Sequence, residues 1–522
     1  MSIGTVTTTL GQVRGLEMDG PYAGITQFRG IPFAAPPVGQ LRWKPPADAS
    51  PWEGVRECTS YAPASIQTFF PSDHLYMFGR PETSEDCLYL NITTGAQSPD
   101  EKRPVYVWYH DGGQTNGFAH DPRNDPMEYA RKGVVFVSVA NRLAIFGCLS
   151  LPQLSAEQGQ SGNYCIMDCL KALQWVRDNI AAFGGDPDNI TIGGESGGAA
   201  KACALAIIPE ANGMFRRVIN ESGLNWMRRI LTQEQAEQEG TDYLTSIGID
   251  PDTSVDQLRE MPVEKLHNYN VDPHFIPGEF VVDGLMFDGQ FRDHFIQRVM
   301  DIDFLNCVCA GEAEPGVDKD ILAGCPHITT AEQFYAHYRR VLGDLYDKYN
   351  FETLVCVTDE TAWALLLELS ALGLAPWVRS NTARSTMINR IFARTLKHSG
   401  SNGHIYTMRF NHLPPPADDG CEHPPVAPHG ADNVYASVSL RFGMPKTISY
   451  TDSDRTVADM MNDYLVNFIK TGDPNGAELI YWPESGDGMA WLDFKLHPQT
   501  HSGIESDLDR LIEEHTRRTY NI

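Results

Sequence analysis

The run from Ile190 to Ala200, Ile-Thr-Ile-Gly-Gly-Glu-Ser-Gly-Gly-Ala-Ala, sets a serine among glycines in a G-x-S-x-G spacing: Gly194-Glu195-Ser196-Gly197-Gly198. A serine hydroxyl is a poor nucleophile at neutral pH and attacks a carbonyl only when a base takes its proton. The β-branched residues before the glycines read as a buried strand. The small residues after them, Ala199, Ala200, Ala202 and Ala204, read as a tightly packed helix. Strand, tight turn and helix together give this spacing a mechanism, because the turn lifts the Ser196 hydroxyl clear of the sheet and makes the Gly197 amide a donor to a developing oxyanion. The glycines are needed because the turn strains the backbone and brings neighbouring atoms too close for side chains.

Such a turn has to be carried by a sheet. Val105–Tyr109 is an apolar strand ending in His110-Asp111-Gly112-Gly113, and Val134–Val139 is another. Asp168–Ile180 has helical spacing through Leu170, Leu173, Trp175, Val176 and Ile180, and Gly184-Gly185-Asp186-Pro187 stops it. Apolar strands alternating with helices indicate a mostly parallel sheet covered on both faces. Gly4–Leu16 reads as an edge hairpin, and the Pro/Gly-punctuated Phe28–Pro46 as a loop that excludes a long helix or a central strand. Gln233–Ile247, Val255–His267, Ala331–Asn350 and Ser380–His398 are helical in pattern. They are expected to pack over the carboxyl edge of the sheet, where a pocket forms. His404–Phe410 returns to strand, and Val457–Lys470 is a closing helix stopped by Thr471-Gly472-Asp473-Pro474.

Composition bounds the function. With 41 basic against 68 acidic residues the net charge is −27, which argues against nucleic acid and against an anionic membrane surface as partners. Met1–Leu10 has neither a basic start nor an apolar core, and no stretch approaches the ~18 apolar residues of a membrane span. The 11 cysteines are irregularly spaced, and Cys165/Cys169 and Cys307/Cys309 have no matching pair at zinc spacing. The expectation is reduced, mostly buried thiols in a cytoplasmic protein, with no metal and no cofactor.

Nearly the whole chain, from about Gly11 to about Phe494, resembles the type-B carboxylesterase/cholinesterase family of α/β-hydrolases. The resemblance is carried by Phe28-Arg-Gly-Ile-Pro-Phe-Ala-Ala-Pro-Pro, Ser84-Glu-Asp-Cys-Leu-Tyr-Leu-Asn, Asn141-Arg-Leu, Gly162-Asn163, Ala172-Leu-Gln-Trp-Val-Arg-Asp-Asn-Ile, Phe183-Gly-Gly-Asp-Pro, the Ser196 motif, His429-Gly-Ala-Asp and Phe468-Ile-Lys-Thr-Gly-Asp-Pro-Asn. It implies one α/β-hydrolase domain over residues 1–522, with helical cap-like insertions in 224–400. It also implies a bacterial-type serine hydrolase that cleaves small-molecule carboxylic esters through an acyl-enzyme. Amide, carbamate or lactone hydrolysis on the same site, and a catalytically silent binding protein, are the alternatives.

The resemblance also assigns roles. His429 is the base, singled out by its motif from 16 histidines. Gly112, Gly113 and Gly197 donate to the oxyanion. Asp111 stands where the family has glycine and is expected to point away, since a carboxylate there would oppose the oxyanion. The family's orienting glutamate falls in Gly311-Glu312-Ala313-Glu314-Pro315-Gly316, where Glu314 is the first choice, Glu312 the second and Asp318 the third. Gln114, Glu195 and Trp226 are expected to line the substrate pocket. Cys87 lies in a motif whose cysteine often pairs with one in a Gly-Pro-x-Cys segment, but here that segment reads Ala62-Pro-Ala-Ser65.

Overall fold

The computed structural model describes residues 3–69, 79–223, 226, 230–268, 276–297, 299–312, 328–374, 385–416, 426–440 and 448–522. Its central feature is a 13-stranded sheet. Seven strands in its middle run parallel, in the spatial order Val135–Val139, Arg103–Tyr109, Gly185–Glu195, Arg217–Glu221, Asp303–Cys309, Ile405–Phe410 and Trp491–Phe494. Antiparallel strands close both edges: Tyr89–Thr94, Thr26–Pro32, Gln12–Glu17 and Thr5–Thr7 on one side and Gln499–His501 on the other.

The alternation of side chains along each strand builds two cores. On Arg103–Tyr109, Val105, Val107 and Tyr109 enter one hydrophobic cluster while Tyr106 and Trp108 enter the other. The first cluster takes the buried faces of the helices Tyr164–Asn179, Gly197–Ile207 and Thr386–His398. The second takes Asp452–Thr471 and Asn433–Ala436. Burial on both faces is why the middle strands are nearly continuous apolar runs. Because these strands are parallel, their carboxyl ends share one edge. The loops leaving Tyr109, Glu195, Glu221, Cys309 and Phe410 therefore all open on that edge.

Four expectations need correction. Thr26–Pro32 is a paired strand inside the sheet, not part of a loop, because the ladder slips between Phe28 and Ile31 and absorbs Gly30 at φ +68 as a bulge. Val255–His267 is two short helices, Val255–Glu260 and Val263–Leu266, parted at Pro262. Ala331–Asn350 breaks at Gly343, whose φ is +56. The closing helix is longer than its apolar pattern: Thr451 and Asp454 form a capping box at its start, and Gly472 ends it in the left-handed region.

Candidate active site

Ser196 sits at φ +50 and ψ −116, between the strand Gly185–Glu195 and the helix Gly197–Ile207. Few residues adopt this conformation, and its surroundings enforce it. The Ser196 amide donates to the Glu221 carbonyl at 2.7 Å, and the Ser196 carbonyl accepts from Ala200 N at 3.0 Å. A Cβ on Gly194 would lie 2.3 Å from the Tyr109 carbonyl oxygen, and one on Gly198 only 1.9 Å from it. The helix can start this close to the neighbouring strand only because both positions are glycine.

His429 Nε2 lies 2.9 Å from Ser196 Oγ, and His429 Nδ1 lies 2.8 Å from Glu312 Oε2. A carboxylate can only accept, so the ring proton is on Nδ1 and Nε2 is left to accept from the serine. Glu312 stands at φ +39, directly after Gly311 and three residues past the strand end at Cys309, in a sharp turn that returns its side chain to the strand. Its Oε1 accepts from Ser222 Oγ at 2.6 Å and from Cys309 N at 2.7 Å. Three donors thus fix the carboxylate against the imidazole. The first-choice acid, Glu314, lies outside the described residues, as does Asp318. The bond an orienting acid has to make is made by Glu312.

Glu195, expected in the pocket, is buried with Oε1 3.3 Å from His429 Nε2. A second carboxylate therefore faces any imidazolium formed there. Two further acids, which the sequence reading missed, lie close by. Burial and then the charge of Asp432 push the Glu221 carboxyl well above the usual range, and burial and then Glu312 push Asp432 up. Only their positions at a strand end and three residues past His429 could have pointed to them.

Gly112 and Gly113 both have positive φ, +84 and +63, and turn the chain back toward the elbow. A Cβ on Gly197 would lie 2.5 Å from the Gly113 nitrogen, so the expected donors are packed backbone to backbone at the start of the helix. The helix dipole adds positive potential at the same point. Gln114 is buried and donates from Nε2 to the Gly197 carbonyl at 3.4 Å, bracing the elbow. The Asp111 carboxylate is ion-paired: its Oδ2 is held by Arg123 Nη2 at 2.5 Å. Lys201 is fully buried and donates to the His110 carbonyl at 3.1 Å, and burial holds its amine below the ordinary value. Trp226 is a core residue, its ring 5.7 Å from that of Phe392. Cys87 is free and buried, and Ser65 stands where the family pattern has a cysteine.

Among the described residues no group of His, Cys, Asp and Glu is arranged to hold a metal ion, and no helix is long and apolar enough to cross a membrane. What the geometry offers is a hydroxyl joined to an imidazole, a carboxylate behind the imidazole, and the Gly113 backbone packed against Gly197 beside the serine.

Comparison with known proteins agrees with this chemistry. The carboxylesterase family model matches residues 3–512. The para-nitrobenzyl esterase of Bacillus subtilis is 31% identical over 495 residues, covering 92% of each chain. The medium-chain fatty acyl-CoA hydrolase precursor of Anas platyrhynchos is 29% identical over 523 residues, covering 94% of this chain and 88% of that one. The solved structure of the Geobacillus stearothermophilus carboxylesterase EST55 at pH 6.2 superposes with a TM-score of 0.75 at 27% identity, covering 98% of this chain and 99% of that one.

Proposed function

Because the chain belongs to the carboxylesterase family, we propose that it hydrolyses small carboxylic esters through an acyl-enzyme on Ser196, with His429 as base and Glu312 as the orienting acid. The observation that carries the assignment is the continuous path from Ser196 Oγ through both ring nitrogens of His429 to Glu312. In the first half-reaction Ser196 Oγ bonds the ester carbonyl carbon as its proton passes to His429 Nε2. The carbonyl oxygen takes up the negative charge opposite the amides of Gly112, Gly113 and Gly197, fixed dipoles that need no reorganisation. Collapse expels the alkoxide, which leaves as alcohol with the proton from Nε2.

In the second half-reaction a water gives its proton to His429 and attacks the acyl carbon. Ser196 then departs with that proton, and the acid is released. Glu312 keeps the ring in the tautomer that leaves Nε2 basic. With Glu195 it also stabilises the imidazolium present between proton transfers.

The matched relatives are named for a p-nitrobenzyl ester and for fatty acyl-CoA, a thioester, which supports esters with an apolar acyl or alcohol part as the substrate class. A cytoplasmic place suits the thiols: nine described cysteines are free and eight of them are buried. The test is rapid-quench mass spectrometry during turnover of p-nitrophenyl esters of rising acyl length. The expected result is a burst of p-nitrophenol with the acyl mass on the Ser196 peptide. Sustained hydrolysis with the acyl group on a different side chain would overturn the assignment.

A further inference from the structure

The loop that carries Gly112 and Gly113 also carries a carboxylate. Asp111 is buried and directly precedes Gly112 and Gly113, the two proposed backbone donors to a developing negative oxygen. A charge that close would raise the barrier unless it is neutralised and turned aside. The neutralising group is Arg123, 3% exposed, whose Nη2 meets Asp111 Oδ2 at 2.5 Å and Asp121 Oδ2 at 2.6 Å, while its Nε meets Asp121 Oδ2 at 3.0 Å. Asp121 in turn accepts the Arg123 amide at 2.9 Å, so the guanidinium is fixed from its own turn.

The backbone of Arg123 faces a different part of the site. Its carbonyl accepts from Ser437 Oγ at 2.5 Å and from Ser439 Oγ at 2.6 Å. These serines close the short helix Asn433–Ala436, which directly follows the His429 turn. One buried residue thus ties the oxyanion loop to the segment that carries the base.

We propose that Arg123 is a positioning residue for ester hydrolysis. Held between Asp111 and the segment after His429, it keeps the Asp111 carboxylate out of the oxyanion hole and fixes Gly112 and Gly113 against Gly197. The proposal rests on the serine-hydrolase reading above. Loss of the guanidinium leaves Asp111 and Asp121 as two buried carboxylates beside the place where negative charge grows. The ground-state carbonyl carries little charge and the transition state much more, so the penalty falls on kcat and not on KM.

The experiment is a rescue. Arg123→Met is expected to lower kcat on a p-nitrophenyl ester by about 100-fold, the scale of losing one oxyanion donor, with KM within about threefold of wild type. Adding Asp111→Gly removes the unpaired charge and is expected to recover about tenfold or more of the loss, a coupling that independent structural damage would not show. An Arg123→Met variant with wild-type kcat, or a double variant as slow as the single one, overturns the proposal. Should Arg123→Met fail to fold, Arg123→Gln carries the same test: it removes the charge but keeps a polar head toward the two carboxylates, so kcat should fall and Asp111→Gly should restore it. Unchanged kcat, or no restoration, overturns the proposal there too. A wild-type chain without ester turnover or Ser196 acylation defeats the hydrolase reading itself. An active wild type with unaffected Arg123 variants defeats only this proposal.

Discussion

At the scale of single residues, the site depends on which carboxylate stands behind His429. Glu312→Gln keeps the shape but lets the ring sit in the wrong tautomer, so kcat is expected to fall by about 10⁴, while Glu314→Gln stays near wild type. Steady-state kinetics on one p-nitrophenyl ester decides between them, and the reverse pattern would restore Glu314. Ser196 and His429 were legible in the sequence because each sits in a motif whose geometry is local. Glu312 was less legible. The run after the strand offers several acids and Glu314 was the first choice, but the position is set by the sharp turn after the strand Asp303–Cys309, where Glu312 at φ +39 folds back onto Cys309 N. The Asp111–Arg123 contact could not be read at all, since it spans 12 positions of irregular loop without periodicity.

At the scale of elements, the elbow is a packing problem solved by glycine. Gly198→Ala would put a Cβ 1.9 Å from the Tyr109 carbonyl oxygen, a backbone atom that cannot move aside without disturbing the strand. The expected cost is about 1–3 kcal/mol for the overpacked contact. The helix Gly197–Ile207 should also shift, so thermal melts should show a lower Tm and fluorophosphonate should react more slowly. Unchanged stability and labelling would mean that the elbow is looser than described. The parallel middle of the sheet was legible because buried strands are continuous apolar runs. The strand Thr26–Pro32 was not, because its proline and glycine mask a strand that survives through a bulge at Gly30. The helices of 224–400 were legible as elements but not in their breaks at Pro262 and Gly343.

At the scale of the whole molecule, the acidic composition bears on stability. Burial opposes the charge on both Asp454 and Asp493. For Asp454 the hydrogen bonds from Thr451 and His412 win, and for Asp493 the charge of Arg409 wins, so both stand below the ordinary 3.8. A carboxyl depressed in the folded state stabilises above its unfolded value and loses that contribution as pH falls through the folded one. Tm is therefore expected to drop steeply below about pH 4, and Asp493→Asn should flatten that acid limb. A limb unchanged in Asp493→Asn would show that this pair contributes nothing. Glu221, raised above 4.5 by burial, acts with the opposite sign: its contribution is full in acid and fades as pH rises.

Ser196 is the serine proposed to react, because its Oγ stands 2.9 Å from His429 Nε2. Intact-mass analysis after fluorophosphonate treatment tests this most directly. It should show a single adduct, located on Ser196, that vanishes in Ser196→Ala and forms far more slowly in His429→Ala. An adduct that persists at full rate in Ser196→Ala would contradict the account.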